Sequence, residues 1–70
     1  MDFSYNDLSE ARKQIDSILY KLREALKTLI EKENIQRYKS QITLVERRIH
    51  AFEIALSLIE NELKKTTASK

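Results

Sequence analysis

Apolar residues recur at alternating three- and four-residue steps through the second half of the chain. The series continues without a gap over four heptads: Ile35, Tyr38, Ile42, Val45, Ile49, Phe52, Leu56, Ile59 and Leu63. This spacing places every member on one face of an α-helix. The pattern predicts a long amphipathic helix whose apolar face must be covered by another helix.

The first half of the chain carries a second series with the same step. Its members are Leu8, Ala11, Ile15, Ile18, Leu22, Ala25 and Leu29, and Leu19, Leu26 and Ile30 widen the stripe on one side. Continuing this series would require apolar residues at 32 and 36, where the chain has Lys32 and Gln36. Because the register slips near Glu33 and Asn34, we expect a hairpin turn there. Asn34 suits both the left-handed conformation that ends a helix and the cap of the next one.

The ends of the two helices follow from local signals. Ser4 has the features of an N-cap with Asp7 as its reciprocal partner, and Phe3 can pack on Leu8, although Asp7 with Glu10 is a rival cap. We expect one domain over residues 1–70, arranged as follows: helix one about 5–33, a turn near 34, helix two about 35–64, and a frayed polar tail at 65–70.

Two other arrangements remain open at this point. Glu33 and Arg37 form a favourable i,i+4 pair that would support one continuous helix of about 85 Å. A later turn with Ser40 as N-cap is the other possibility. We favour an all-α, antiparallel two-helix hairpin of the coiled-coil kind, because the register break divides the chain into two arms of nearly equal length.

Composition supports an all-helical chain that needs further cover. The 70 residues include no Gly, no Pro and no Cys, and 34% are charged while 41% are hydrophobic. Such a make-up is typical of long helices, and it removes disulfides and thiolate metal sites as sources of stability. A chain this short seldom gains more than roughly 3–5 kcal/mol from its own core, so association is the remaining source of stability.

The width of the apolar stripes predicts a further interface. A hairpin covers one side of each stripe and leaves the other side exposed to water. We therefore expect two hairpins to form a four-helix bundle, as a homodimer or with a helix of a partner protein. The residues expected at this oligomer interface are Leu19, Leu26, Ile30, Leu44, Ala51, Ile54, Ala55 and Leu58.

Charge is distributed unevenly along such a hairpin. The segment from Lys27 to His50 is net basic, whereas the two ends of the chain are mainly acidic. An antiparallel dimer would place the basic half of each copy along the acidic half of the other. We predict that arrangement rather than a parallel one.

The chain offers few candidates for a chemical site. Arg37, Lys39, Arg47 and Arg48 could form an anion patch, and nucleic-acid or anion binding is therefore the alternative function. The net charge of only +2, with acids interspersed along both helices, argues against a nucleic-acid partner. His50 lacks the Glu-x-x-His step of carboxylate-bridged metal bundles, because Arg47 stands three residues before it.

These patterns together predict a small non-enzymatic module for protein–protein interaction or regulation. We expect no catalytic residues, no cofactor or metal, and no small-molecule substrate, since no nucleophile–base set and no Gly-rich phosphate loop is present. We also expect no membrane segment and a cytoplasmic location, because the chain has neither a signal-peptide pattern nor a run of 18 apolar residues.

Overall fold

The protein is a helical hairpin. The computed structural model describes residues 3–32 and 35–68, which form helix α1 (Tyr5–Ile30), a short 3-10 helix (Ile35–Tyr38) and helix α2 (Lys39–Ala68). The two long helices pack against each other along a molecule of 54 × 17 × 16 Å. The predicted hairpin is thus confirmed, and the alternative of one continuous helix is wrong.

Helix α1 begins with the predicted capping box. The Asp7 backbone N–H donates to the Ser4 hydroxyl at 3.1 Å, and the Ser4 backbone N–H donates to the Asp7 carboxylate at 3.3 Å. Two backbone donors that the first helical turn would leave unpaired are therefore satisfied by side chains. The local sequence pattern identified both residues and the start of the helix.

The connection between the helices is longer than expected. Helix α1 ends at Ile30, three residues before the predicted end, and the Glu31 N–H donates to the Lys27 carbonyl at 3.0 Å. The chain enters α2 through the 3-10 helix, so the α-helix begins at Lys39 and not at 35. Ser40 lies inside α2 and does not cap it. The turn position itself, Asn34, lies outside the described residues.

A contact between charge and ring spans this connection. The ammonium group of Lys32 lies 5.6 Å from the centre of the Tyr38 ring. A cation at this distance is attracted to the negative face of an aromatic ring. At the other end, α2 extends to Ala68, beyond the predicted limit of 64, so most of the predicted polar tail is helical.

The contact between the helices follows the apolar series of α2 and a shifted series of α1. The predicted series is half-buried at Tyr38, in the 3-10 helix, and on α2 at Ile42, Val45, Ile49, Phe52, Leu56, Ile59 and Leu63. Ala55 and Glu60 of α2 are half-buried as well, and the side chain of Ile35, the first predicted member, lies outside the described residues. On α1 the apolar contact residues are Leu8, Ala11, Ile15, Leu22, Leu26 and Leu29, which are half-buried, and Leu19, which is 1% exposed. The only fully buried side chain among the described residues is thus that of Leu19.

Two predicted contact residues of α1 are wrong. Ile18 and Ala25 are exposed, and their C-terminal neighbours Leu19 and Leu26 take the contact positions instead. Both series keep steps of three and four residues, so spacing alone does not distinguish them. Placing Leu26 rather than Ala25 against α2 removes more apolar surface from water, which favours the observed choice.

Candidate association surface

Ion pairs connect the two helices along one side of the hairpin. A guanidinium nitrogen of Arg23 lies 2.9 Å from the Glu53 carboxylate, and one of Arg12 lies 3.8 Å from that of Glu60. We call the surface formed by these four residues the ion-pair flank. Each of them directly follows a contact residue in the sequence, as Arg23 follows Leu22. On this flank, opposite charges from the two helices meet.

The other side of the hairpin carries a set of apolar residues between polar ones such as Gln14, Lys21 and Arg48. Successive helical residues point about 100° apart, so the residue before a contact residue lies on the opposite side from the residue after it. Six apolar residues directly precede contact residues and share this side, which we call the apolar flank: Ile18, Ala25, Leu44, Ala51, Ala55 and Leu58. All of them are exposed except Ala55, which is intermediate. Leu44 and Leu58 keep 47% and 61% of their surface exposed.

The ion pairs also fix which residues lie side by side on the apolar flank. Ile18 falls midway between Arg12 and Arg23, and the segment midway between Glu53 and Glu60 lies opposite it. This midpoint lies between Ala55 and Leu58. Ile18 of α1 is therefore beside these two apolar residues of α2. The same reasoning places Ala25 beside Ala51, nearer the turn.

The apolar flank ends in a hollow at the open end of the hairpin, where α1 begins. The hollow has a volume of about 420 Å³ and is lined by Phe3, Asp7, Leu8, Ala11 and Ile59. Phe3 and Leu8 therefore line the same hollow. This position is compatible with the predicted packing of the Phe3 ring on Leu8. Asp7 directly precedes the contact residue Leu8, so the hollow opens towards the apolar flank.

The eight residues predicted for an oligomer interface do not all lie on this surface. Leu44, Ala51, Ala55 and Leu58 belong to the apolar flank, and the exposed Ile54 borders it one turn before Leu58. The other three are Leu19, Leu26 and Ile30.

Those three residues occupy other places. Leu19 is buried and Leu26 is half-buried in the contact between the two helices, so the prediction of an outward-facing Leu19 is corrected. Ile30 is exposed but stands seven residues after Arg23, which puts it on the ion-pair side. Sequence reasoning missed Ile18 and Ala25 as members of the apolar flank because it assigned them to the hairpin contact.

The four cations predicted as an anion patch do not converge. Arg48 precedes a contact residue and lies on the apolar flank, whereas Arg47 borders a shallow depression on the outer side of α2 with Glu46 and His50. Arg37 and Lys39 precede and follow Tyr38, so they diverge in the same way. All four cations are exposed.

The described part of the chain shows no other grouped chemistry. No set of three or more His, Asp or Glu side chains there could hold a metal ion, and no polar side chain there is buried. Neither described helix is both long and apolar enough to cross a membrane. Comparison with family models, with curated proteins and with solved structures gives no match for this chain.

Proposed function

We propose that the chain is a small, non-enzymatic association module. Two copies pack through their apolar flanks into a four-helix bundle, and the assembled bundle presents its polar faces to partner proteins. A partner helix could replace one copy by laying its own apolar side chains on the same flank, as helices do in hydrophobic grooves. The observation that carries the proposal is the apolar flank itself, with Leu44 and Leu58 largely exposed on a hairpin that buries only Leu19 fully among its described residues.

The size of the flank supports association between two copies. The whole side of the molecule that carries the flank is 54 Å long and 17 Å wide, a projected area of roughly 900 Å². A second copy that covers this side, with the flank at its centre, would bury close to the ~800 Å² that each partner contributes to a standard stable interface. The alanines at its centre, Ala25, Ala51 and Ala55, allow a second backbone to approach closely. Large side chains at both ends of the row would then be covered.

Charge substitution on the flank tests the proposal. We expect the double variant Leu44→Glu with Leu58→Glu to lose the dimer, because four carboxylates would be buried in the bundle. Sedimentation equilibrium measures the mass, and circular dichroism reports the helix content. A helical monomer and an unfolded chain would both support the proposal, since each shows that the folded dimer depends on this flank.

A matched control keeps the test specific. Tyr20→Glu with Ile30→Glu adds the same charge at exposed apolar positions of α1 that lie away from the apolar flank. This variant should remain dimeric and helical. A dimer that survives the Leu44 and Leu58 changes, or a wild-type chain that is a folded monomer at 100 µM, would refute the proposal.

Anion binding at the turn end stays a prediction. The four cations face different sides of the hairpin, so the geometry does not strengthen it. Salt-dependent retention on DNA that is abolished by Arg47→Glu with Arg48→Glu would favour this alternative.

A further inference from the structure

We infer that the two copies pack antiparallel, with Leu44 of each copy seated in the hollow at the open end of the other. The inference rests on the proposed self-association and adds its orientation and register. The hollow and Leu44 lie at opposite ends of the same apolar flank. An antiparallel dimer is the arrangement that brings them to the same level along the bundle.

The spacing along the two helices sets the register. Asp7 at the hollow stands eleven residues before Ile18 on α1, and Leu44 stands eleven residues before Ala55 on α2. Because the helices point in opposite directions, these two distances of about 16 Å extend from the middle of the flank towards opposite ends. A twofold axis at Ile18 and Ala55 therefore brings Leu44 of one copy to the level of the hollow of the other, and a crossing angle of about 20° between the two copies moves it from α2 towards the groove where the hollow lies.

The hollow suits a leucine side chain. Its walls include Phe3, Leu8, Ala11 and Ile59, which are apolar, and its volume of about 420 Å³ leaves room for such a side chain. Leu44 is half exposed on the isolated hairpin and would lose that exposure on insertion. Each dimer would contain two such insertions, one at each end.

Charges on the apolar flank favour the same orientation. Arg48, one turn after Leu44, is near the turn end, whereas Asp7 and Glu62 are near the open end, and all three directly precede contact residues. An antiparallel dimer brings the guanidinium of Arg48 towards the carboxylate end of the second copy. A parallel dimer would instead bring the two Arg48 side chains together, and like charges at an interface oppose association.

Disulfide trapping tests the orientation, because the chain has no cysteine of its own. We would prepare Arg48→Cys and Glu62→Cys as separate full-length variants, mix them and oxidise them. The mixed disulfide should form in at least about tenfold excess over either self-linked product, since the twofold axis places position 48 of one copy opposite position 62 of the other. Mass spectrometry separates the three products by their masses.

Two outcomes would overturn the inference. One is faster self-linking of Arg48→Cys alone, which indicates a parallel dimer, and the other is a dimer in which no mixed disulfide forms. The mass of the unmodified chain separates these failures from failure of the proposed function, since a monomeric wild type refutes both proposals. A dimeric wild type without the mixed disulfide refutes the antiparallel register alone.

A size exchange tests the seat of Leu44. Leu44→Ala and Ala11→Leu should each raise the dimer Kd at least about tenfold, the first by emptying the hollow and the second by filling it. Their combination should recover most of the affinity. The control pairs Ala11→Leu with Leu58→Ala and should show no recovery. Equal behaviour of the two double variants would contradict the seat.

Discussion

The two flanks of this hairpin differ in what covers them. On the ion-pair flank, long charged side chains from both helices meet beside the helix–helix contact, and about half of each side chain remains exposed to water. On the apolar flank, alanine, isoleucine and leucine side chains occupy six of the equivalent positions, and all of these described side chains except that of Ala55 are exposed. The comparison teaches that the two-helix contact is a small core, and that the two sides beside it differ in how much apolar surface they leave exposed.

Deletion of the buried side chain tests the core beneath both flanks. Leu19→Ala should lower the free energy of unfolding by about 2–5 kcal/mol, because it leaves a cavity at the one fully buried side chain among the described residues. Urea denaturation followed by circular dichroism at fixed chain concentration measures this loss. Tyr20→Ala at the exposed neighbouring position should cost less than about 1 kcal/mol. Equal losses would contradict the observed register of α1.

A pair of isoleucines compares the flanks directly. Ile18 on the apolar flank is 38% exposed and Ile30 on the ion-pair side is 48% exposed, so exposure alone predicts similar tolerance of a charge. We expect Ile18→Glu to raise the dimer Kd at least about a hundredfold, since two carboxylates would meet at the twofold axis. Ile30→Glu should change Kd less than about threefold. Sedimentation equilibrium decides the matter, and equal effects would remove the distinction between the flanks.

The capping box tests a local contribution that neither flank shares. Ser4→Ala should destabilise the protein by about 0.5–2 kcal/mol, because the Asp7 backbone N–H loses its acceptor. Thermal unfolding at constant concentration measures the change. Ser17→Ala, in the middle of α1, should leave stability unchanged or slightly raised, since alanine has the higher helix propensity. Similar losses of stability in the two variants would show that the capping hydrogen bonds of Ser4 do not stabilise the protein.

The ion pairs should contribute least. A double-mutant cycle on Arg23 and Glu53 should give a coupling energy of about 0.2–1 kcal/mol that falls in 1 M salt, because both side chains remain about half exposed. The cycle on Arg12 and Glu60, whose charged atoms are 3.8 Å apart, should give a smaller value. A coupling well above 1 kcal/mol at either pair would mean that the ion-pair flank is a second structural core.

Local patterns in the sequence predicted the parts of this fold that depend on neighbouring residues. The capping of α1 by Ser4 and Asp7 needs only residues three apart, and the contact face of α2 has a single consistent series. On α1, by contrast, Ile18 and Leu19 compete for the same place. Which of the two packs against α2 depends on how much apolar surface each register of α1 removes from water along the whole contact with α2.

Other features depend on how the two helices align and could not be read from spacing. The pairing of Arg12 with Glu60 requires the longitudinal register of the hairpin, which is set by packing along the whole seam. The end of α1 at Ile30 was placed three residues late, because no Gly or Pro marks the turn. The apolar flank was predicted in part, through Leu44, Ala51, Ala55 and Leu58, and its members on α1 followed only from the register.

The mass of the unmodified chain in solution tests the central claim most directly. Sedimentation equilibrium across 1–200 µM, with circular dichroism on the same samples, should show a helical species of twice the 8.3 kDa chain mass that dissociates on dilution. A helical species of 8.3 kDa throughout this range would show that the hairpin is stable with its apolar flank in water. That result would contradict the account.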